Sequence, residues 1–199
     1  MRGGVDLLVG GVGAALAAAS VASALTSASF EGDPYDLVVS AGIGGGFEPD
    51  AGVGSLVLAD EIVVADLGAE SPDGFLTVAE LGFGNVGHRC PPALVQAAAH
   101  ATSGRVGTVL TVSTVTGSAG RAGELRERYP RALAEAMEGF GVAEAAALHG
   151  VPVFEVRAVS NAVGPRDRDA WRIGEALGVL AEAFGKLAPV FESWTRHEP

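Results

Sequence analysis

Cysteine occurs once in these 199 residues, at Cys90, so no disulfide can close within the chain. That usage fits a reducing cytoplasm, and Cys90 reads as a small semi-buried side chain rather than a nucleophile. Histidine is scarce too. Four residues without ligand-like spacing argue against zinc, and the sequence predicts no metal and no cofactor. Basic side chains number 13 against 24 acidic ones, a formal net charge of -11. A nucleic-acid binder needs a basic face to displace counterions, which excludes that class of partner. An anionic small molecule stays open, because one local arginine can hold it. Charged residues make up only 19% and hydrophobic residues 48%, which excludes a disordered chain. The length suits a single domain over residues 1–199 with a sizeable core.

Two signatures are also missing. The runs Gly10-Gly11-Val12-Gly13 and Gly42-Ile43-Gly44-Gly45-Gly46 have neither the dinucleotide spacing with a downstream acid nor a Walker lysine. They read as tight turns, or as places where backbone closely approaches a ligand. The start of the chain, Arg2 followed by apolar residues 5–25, imitates a secretory signal. Asp6 interrupts that run, which is rich in Ala and Gly and splits at Gly10 to Gly13 into two unlike halves. The sequence therefore predicts neither a cleaved leader nor a membrane span.

What is present is an alternation of strand-like and helix-like stretches. Strands are expected at 5–9, 36–40, 57–65, 105–113 and 152–160. Helices are expected at 14–25, 94–101, 119–128, 132–149 and 170–187. Residues 10–13 and 41–46 are expected as the turns between them. This order predicts an α/β fold with a central, largely parallel sheet flanked by helices. Ligands in such folds sit beyond the carboxyl ends of the strands. The glycine run after Ser40, the Ser113-Thr114 end and the Ser160-Asn161 end all fall there.

Two polar residues interrupt otherwise small and apolar stretches. Helical spacing puts Ala134, Glu138 and Val142 on one face and predicts a partly buried Glu138, which then needs hydrogen-bond donors. The alternative is a solvated glutamate at a helix start. Asn161 follows a strand and precedes a Gly-Pro loop, the place of a turn residue bonding its own backbone. Arg166-Asp167-Arg168-Asp169 reads as a solvated loop, with Asp169 a candidate cap for the last helix.

Taken together, Ala136-Met137-Glu138, Gly150-Val151-Pro152-Val153 and Val156-Arg157-Ala158-Val159-Ser160-Asn161 resemble the nucleoside phosphorylase/hydrolase superfamily. The likeness to its methylthioadenosine/S-adenosylhomocysteine nucleosidases extends back through Ser40 to Gly46 and Val53 to Glu61. The stretches Met137 to Gly141 and Ser160 to Asp167 are most similar to the futalosine hydrolase family of menaquinone biosynthesis. The resemblance implies a three-layer nucleoside phosphorylase-like fold, a homo-oligomer in the cytoplasm, and hydrolysis of a purine nucleoside. By the same resemblance Met137 packs under the ribose, and Glu138 accepts hydrogen bonds from its hydroxyls. Asn161 faces the purine, and Gly42, Ile43, Gly44 and Gly45 line the sugar and the attacking water. Trp171 lies near the 5' substituent, and Arg89, Arg166 and Arg168 are candidates for a substrate carboxylate.

Asn161 also suggests which purine. Glycosidic cleavage leaves negative charge on the base, so a donor to N7 or O6 favours departure. An Asn amide can donate to the paired acceptors of a 6-oxopurine, whereas a protonated Asp suits adenine. Phosphorolysis is disfavoured because no basic residue adjoins Gly11 to Gly13. In the superfamily a further N-terminal strand carries a water-activating glutamate in its loop. The sequence opens at what corresponds to the second strand, so the expected fold lacks that first strand and no general base is named. A start assigned too far downstream accounts for this, and a nucleoside-binding protein without activity is the competing expectation.

Overall fold

The computed structural model describes residues 4–194. In chain order, α1 (Ala14–Phe30) precedes β1 (Val38–Gly46) and β2 (Leu56–Val64). A surface hairpin of β3 (Gly68–Ser71) and β4 (Gly74–Thr77) follows, then the short β5 (Gly87–Arg89). The rest is α2 (Pro92–Thr102), β6 (Arg105–Thr111), α3 (Ala119–Arg128), β7 (Ala132–Ala136), α4 (Gly139–Leu148), β8 (Val153–Ala162) and α5 (Ile173–Ser193).

The main sheet has the order β5-β2-β6-β7-β1-β8. Its long ladders, β1 with β8 and β2 with β6, are parallel, as is β6 with β7. The shorter pairings of β1 with β7, β2 with β5 and β2 with β8 are antiparallel. Because β8 also pairs with β2, five strands close on themselves, and the mixed sheet is a curled ring rather than an open layer. Helices pack around it in pairs, α1 on α4 and α2 on α5. The α/β sheet flanked by helices is the one predicted by the alternation.

Burial explains why β8 carries no polar alternation. Its residues 153–160 are all buried, as expected of a strand covered on both faces. Phe154 belongs with Leu58, Ile62, Leu94 and the small side chains of α4 to the larger of two apolar clusters. Each large side chain buried in this way contributes about 1.5–3 kcal/mol. Helix α1 presents Ala17, Val21, Leu25 and Ala28 to the core, a spacing that repeats on one helical face.

Four expectations are corrected. Residues 5–9 form no strand; Leu7 is 96% and Val9 87% exposed, since no strand among the described residues offers a ladder to this run. The glycines at 42–46 belong to β1, not to a turn, and the ladder with β8 shifts register between Gly44 and Gly45. The expected single helix at 132–149 is a strand and a shorter helix. Residues 132–136 fill the slot between β6 and β1, where ladder hydrogen bonds and burial override alanine's high helix propensity. Finally, Asp169 does not cap α5; Arg172 holds that position, its backbone N–H bonded to Ser160 O at 2.8 Å.

Candidate active site

A cavity of about 1340 Å³ opens beside the carboxyl ends of β1 and β8. Met137, Glu138, Gly42, Ile43, Gly44, Gly45, Asn161 and Trp171 all line it, so the fold gathers these eight predicted residues in one place. Ligand pockets usually occupy about 300–1,000 Å³, so a nucleoside with an extended 5' group fits. Ser113 and Thr114 do not reach the cavity wall; Val115 does. Arg89, Arg166 and Arg168 stay outside it as well, and Arg89 faces Glu61 on the neighbouring strand at 3.6 Å.

Glu138 sits at the start of α4, directly after β7 has ended and the chain has turned through Met137. It does not share a helical face with Ala134, because residue 134 lies in a strand. Of the two readings left open, partial burial is the one found, since its side chain is only 21% exposed. The donors that a half-buried carboxylate needs are present. Gly13 N–H donates to Oε1 at 3.2 Å, and Arg157 Nη1 donates to Oε2 at 3.1 Å. Gly13 is the residue before α1, so this carboxylate also lies at a helix N-terminus, where the helix dipole favours negative charge.

Arg157 is the residue that sequence reasoning left without a role. It rises from β8 with its side chain 4% exposed and ties four groups together. Nε donates to Glu155 at 2.8 Å, Nη2 to Ser40 Oγ at 3.1 Å, and Nη1 to both Glu138 and the Ile43 carbonyl. Glycine at position 42 makes room for it, because a Cβ there would lie 2.5 Å from Nη1. The glycine run thus allows a close approach, but of a guanidinium belonging to the protein itself. A signal for this network was available: Glu155 and Arg157 stand two apart in an apolar strand, on one face, and buried charges must pair.

Asn161 is the penultimate residue of β8, paired with Gly45 at the register shift. Ser160 Oγ donates to its Oδ1 at 2.8 Å, and its Nδ2 donates to the Ala162 carbonyl at 3.0 Å. The amide therefore bonds its own backbone, as a turn residue would. An Asn amide nitrogen carries two N–H donors, and that bond uses one. Trp171 is half-buried two residues before α5, at the cavity rim rather than in the core.

A second buried carboxylate, Glu135, lines the same cavity and is 3% exposed. It accepts from the Thr116 backbone N–H at 2.8 Å and from the Thr116 hydroxyl, which ties the loop after β6 to β7. Burial raises its carboxyl above the ordinary range. Burial likewise raises the carboxyl of Glu155 and pushes the Cys90 thiol up to about 12, which keeps Cys90 a thiol, as expected of a structural cysteine. Among the described residues no group of three His, Cys, Asp or Glu side chains is placed to hold a metal ion. No helix among them is long and apolar enough to cross a membrane.

A cavity lined by both a clamped carboxylate and an amide suits a polyhydroxylated sugar bearing a base. Comparison with known proteins agrees. The family model for the "Phosphorylase superfamily" matches residues 2–190. A futalosine hydrolase of Streptomyces coelicolor is 72% identical over 195 residues, 98% of this chain and 83% of that protein. A futalosine hydrolase of Thermus thermophilus is 34% identical over 184 residues, 90% of this chain and 77% of that protein. The methylthioadenosine/S-adenosylhomocysteine nucleosidase of Helicobacter pylori superposes with a TM-score of 0.76 at 17% identity, covering 90% of this chain and 77% of that one. The chain belongs to the phosphorylase superfamily and, within it, to the futalosine hydrolase family.

Proposed function

We propose that this chain hydrolyses the N-glycosidic bond of futalosine, releasing hypoxanthine and dehypoxanthine futalosine, a step of menaquinone biosynthesis. The observation that carries this reading is the 72% identity over 98% of the chain to a futalosine hydrolase. The cavity supports it with a part-buried carboxylate and an Asn amide in one lining. In this reading Glu138 accepts hydrogen bonds from the ribose hydroxyls, and Met137 packs under the ring. Gly42 to Gly45 border the sugar and the attacking water, and Trp171 stands at the 5' end. As the bond breaks, positive charge develops on the ribose and negative charge on the base. Glu138 stabilises the first, and the second N–H of the Asn161 amide donates to the departing 6-oxopurine.

Water rather than phosphate is the nucleophile. Among the described residues lining the cavity, Arg157 is the one arginine and there is no lysine. Its guanidinium is already bonded to two carboxylates, which leaves a phosphate no strong partner. The protein acts in the cytoplasm as a homo-oligomer. The single cysteine, which leaves the chain without an internal disulfide, supports the first, and the exposed apolar side chains of Leu7, Val9, Val12 and Leu16 support the second. Sedimentation analysis checks the assembly, with a monomer at micromolar concentration contradicting it.

The deciding experiment incubates the protein with futalosine, with and without phosphate, and follows hypoxanthine by chromatography. Release at the same rate in both is expected; release only with phosphate, or none, rejects the reading. Asn161→Asp is expected to shift relative activity from futalosine toward its 6-amino counterpart by about ten-fold, the equivalent of one matched polar pair. An unchanged ratio removes Asn161 as the purine reader.

A further inference from the structure

Behind the wall of the cavity, outside its lining, lies a residue that has no packing reason to be charged. Glu155 is 0% exposed, on a strand whose neighbours in sequence, Phe154 and Val156, are fully buried apolar residues. An isolated buried carboxylate is disfavoured by several kcal/mol, by about the same margin as other buried ions, and an apolar residue would serve the core better. Its surroundings are built to keep it. The carboxylate rests against Gly139, where any Cβ would collide with both of its oxygens. Oε1 accepts from Arg157 Nε at 2.8 Å, while Oε2 has no hydrogen-bond partner among the described residues. The charged or titratable groups facing it are Arg157 on its own strand, Glu138 at the start of α4, and Cys90 ahead of α2.

The geometry has an electrical consequence. A single guanidinium is shared by two carboxylates, Glu155 through Nε and Glu138 through Nη1. With both carboxylates ionised the group carries a net charge of minus one; with Glu155 neutral it carries none. Without Glu155, Arg157 would neutralise Glu138 alone, and the carboxylate at the cavity wall would attract a positive ribose more weakly.

We propose that Glu155 is a positioning residue for glycosidic cleavage: it holds Arg157 from behind and draws off part of its charge, leaving Glu138 as an under-neutralised carboxylate facing the ribose. This rests on the reading that Glu138 meets the ribose of a nucleoside. The benefit is confined to states in which the sugar is cationic, so the effect falls on kcat and not on ground-state binding. The burial that raises the Glu155 carboxyl also makes the effect pH-dependent. As pH falls, Glu155 takes up a proton, the net negative charge is lost and kcat declines.

The test compares wild type with Glu155→Gln, which keeps size and shape. The readouts are hypoxanthine release from futalosine across pH, and the affinities for two unreactive ligands. One is a hypoxanthine-bearing iminoribitol, cationic at the ring nitrogen; the other is a neutral deazainosine whose carbon–carbon glycosidic bond resists hydrolysis. For Glu155→Gln, kcat is expected to fall about ten-fold, a change of about 1.4 kcal/mol, with KM nearly unchanged. The acid limb of the kcat profile contributed by Glu155 disappears. The preference for the cationic over the neutral ligand drops by a similar factor, and this ratio is independent of the fraction of protein that folds. Unchanged kcat and an unchanged ratio overturn the proposal. So does a loss shared by kcat and KM with the ratio intact, which marks a purely structural role. If wild type neither releases hypoxanthine nor binds either ligand, the functional reading itself fails and takes this proposal with it. Wild-type activity with an indifferent Glu155→Gln sinks this proposal alone.

Discussion

Two apolar stretches meet at the cavity in opposite circumstances. Strand β8 is buried over its first eight residues and pairs with both β1 and β2. Residues 5–12 run along the cavity rim with Leu7 and Val9 almost fully exposed, and no ladder holds them. Both contribute to the same carboxylate, but differently. The buried strand supplies a charged side chain, Arg157, fixed by four hydrogen-bond partners. The exposed segment supplies a backbone N–H, that of Gly13, at the point where it becomes α1. Charge can be aimed where the surroundings exclude water and lock a rotamer. An exposed segment can contribute dependably only what its backbone carries.

The comparison is broken hardest at Arg157. Arg157→Leu leaves Glu155 as a buried, unpaired charge and is expected to lower stability by about 3–5 kcal/mol at neutral pH. Chemical denaturation with the midpoint followed by circular dichroism measures it. The sign of its pH dependence follows from burial. A carboxyl whose folded pKa is raised binds its proton more tightly when folded, so folding is favoured toward acid and opposed above the folded value. Part of the loss in Arg157→Leu is therefore expected to return as the pH falls from neutral toward the ordinary carboxylate range. A deficit independent of pH would mean that Glu155 is not the source.

On the other side of the cavity, Gly13 has φ 87 and ψ 151, a conformation nearly confined to glycine, although a Cβ there would meet nothing within 4 Å. Gly13→Ala is expected to cost about 1–3 kcal/mol through backbone strain alone, read from the thermal midpoint. It is also expected to slow hypoxanthine release, because the N–H that meets Glu138 moves. The smallest effect belongs to the rim. Leu7→Ser and Val9→Ser are expected to change the stability of an isolated chain by no more than about 0.5 kcal/mol. A larger loss in sedimentation-checked oligomers would mean that these side chains are buried between copies.

Much of the site was legible because its residues violate their surroundings. Glu138 among alanines and Asn161 at the end of an apolar strand stand out in any reading of composition, and both line the cavity. Trp171 lines the cavity, where resemblance had put it beside a ligand, though position at a helix start argued for core. Arg157 and Glu155 were harder, since a strand's spacing puts them on one face without saying which neighbours lie there. The three arginines considered for a substrate carboxylate lie outside the cavity lining, a placement that residue type alone could not give.

By itself the sequence determined the alternating α/β order, the family, and the residues, Glu138 and Asn161 among them, that the fold brings to one cavity. Those follow from local composition and from residues whose chemistry has few other uses. Tertiary structure alone decided that residues 132–136 are a strand, that the glycines of β1 accommodate a guanidinium, and that residues 5–9 form none. It also decided that one arginine serves two carboxylates. Each of these depends on which backbone or side chain lies a few ångströms away, and a strand's ladder or a charge's partner is a property of that neighbour as much as of the residue itself.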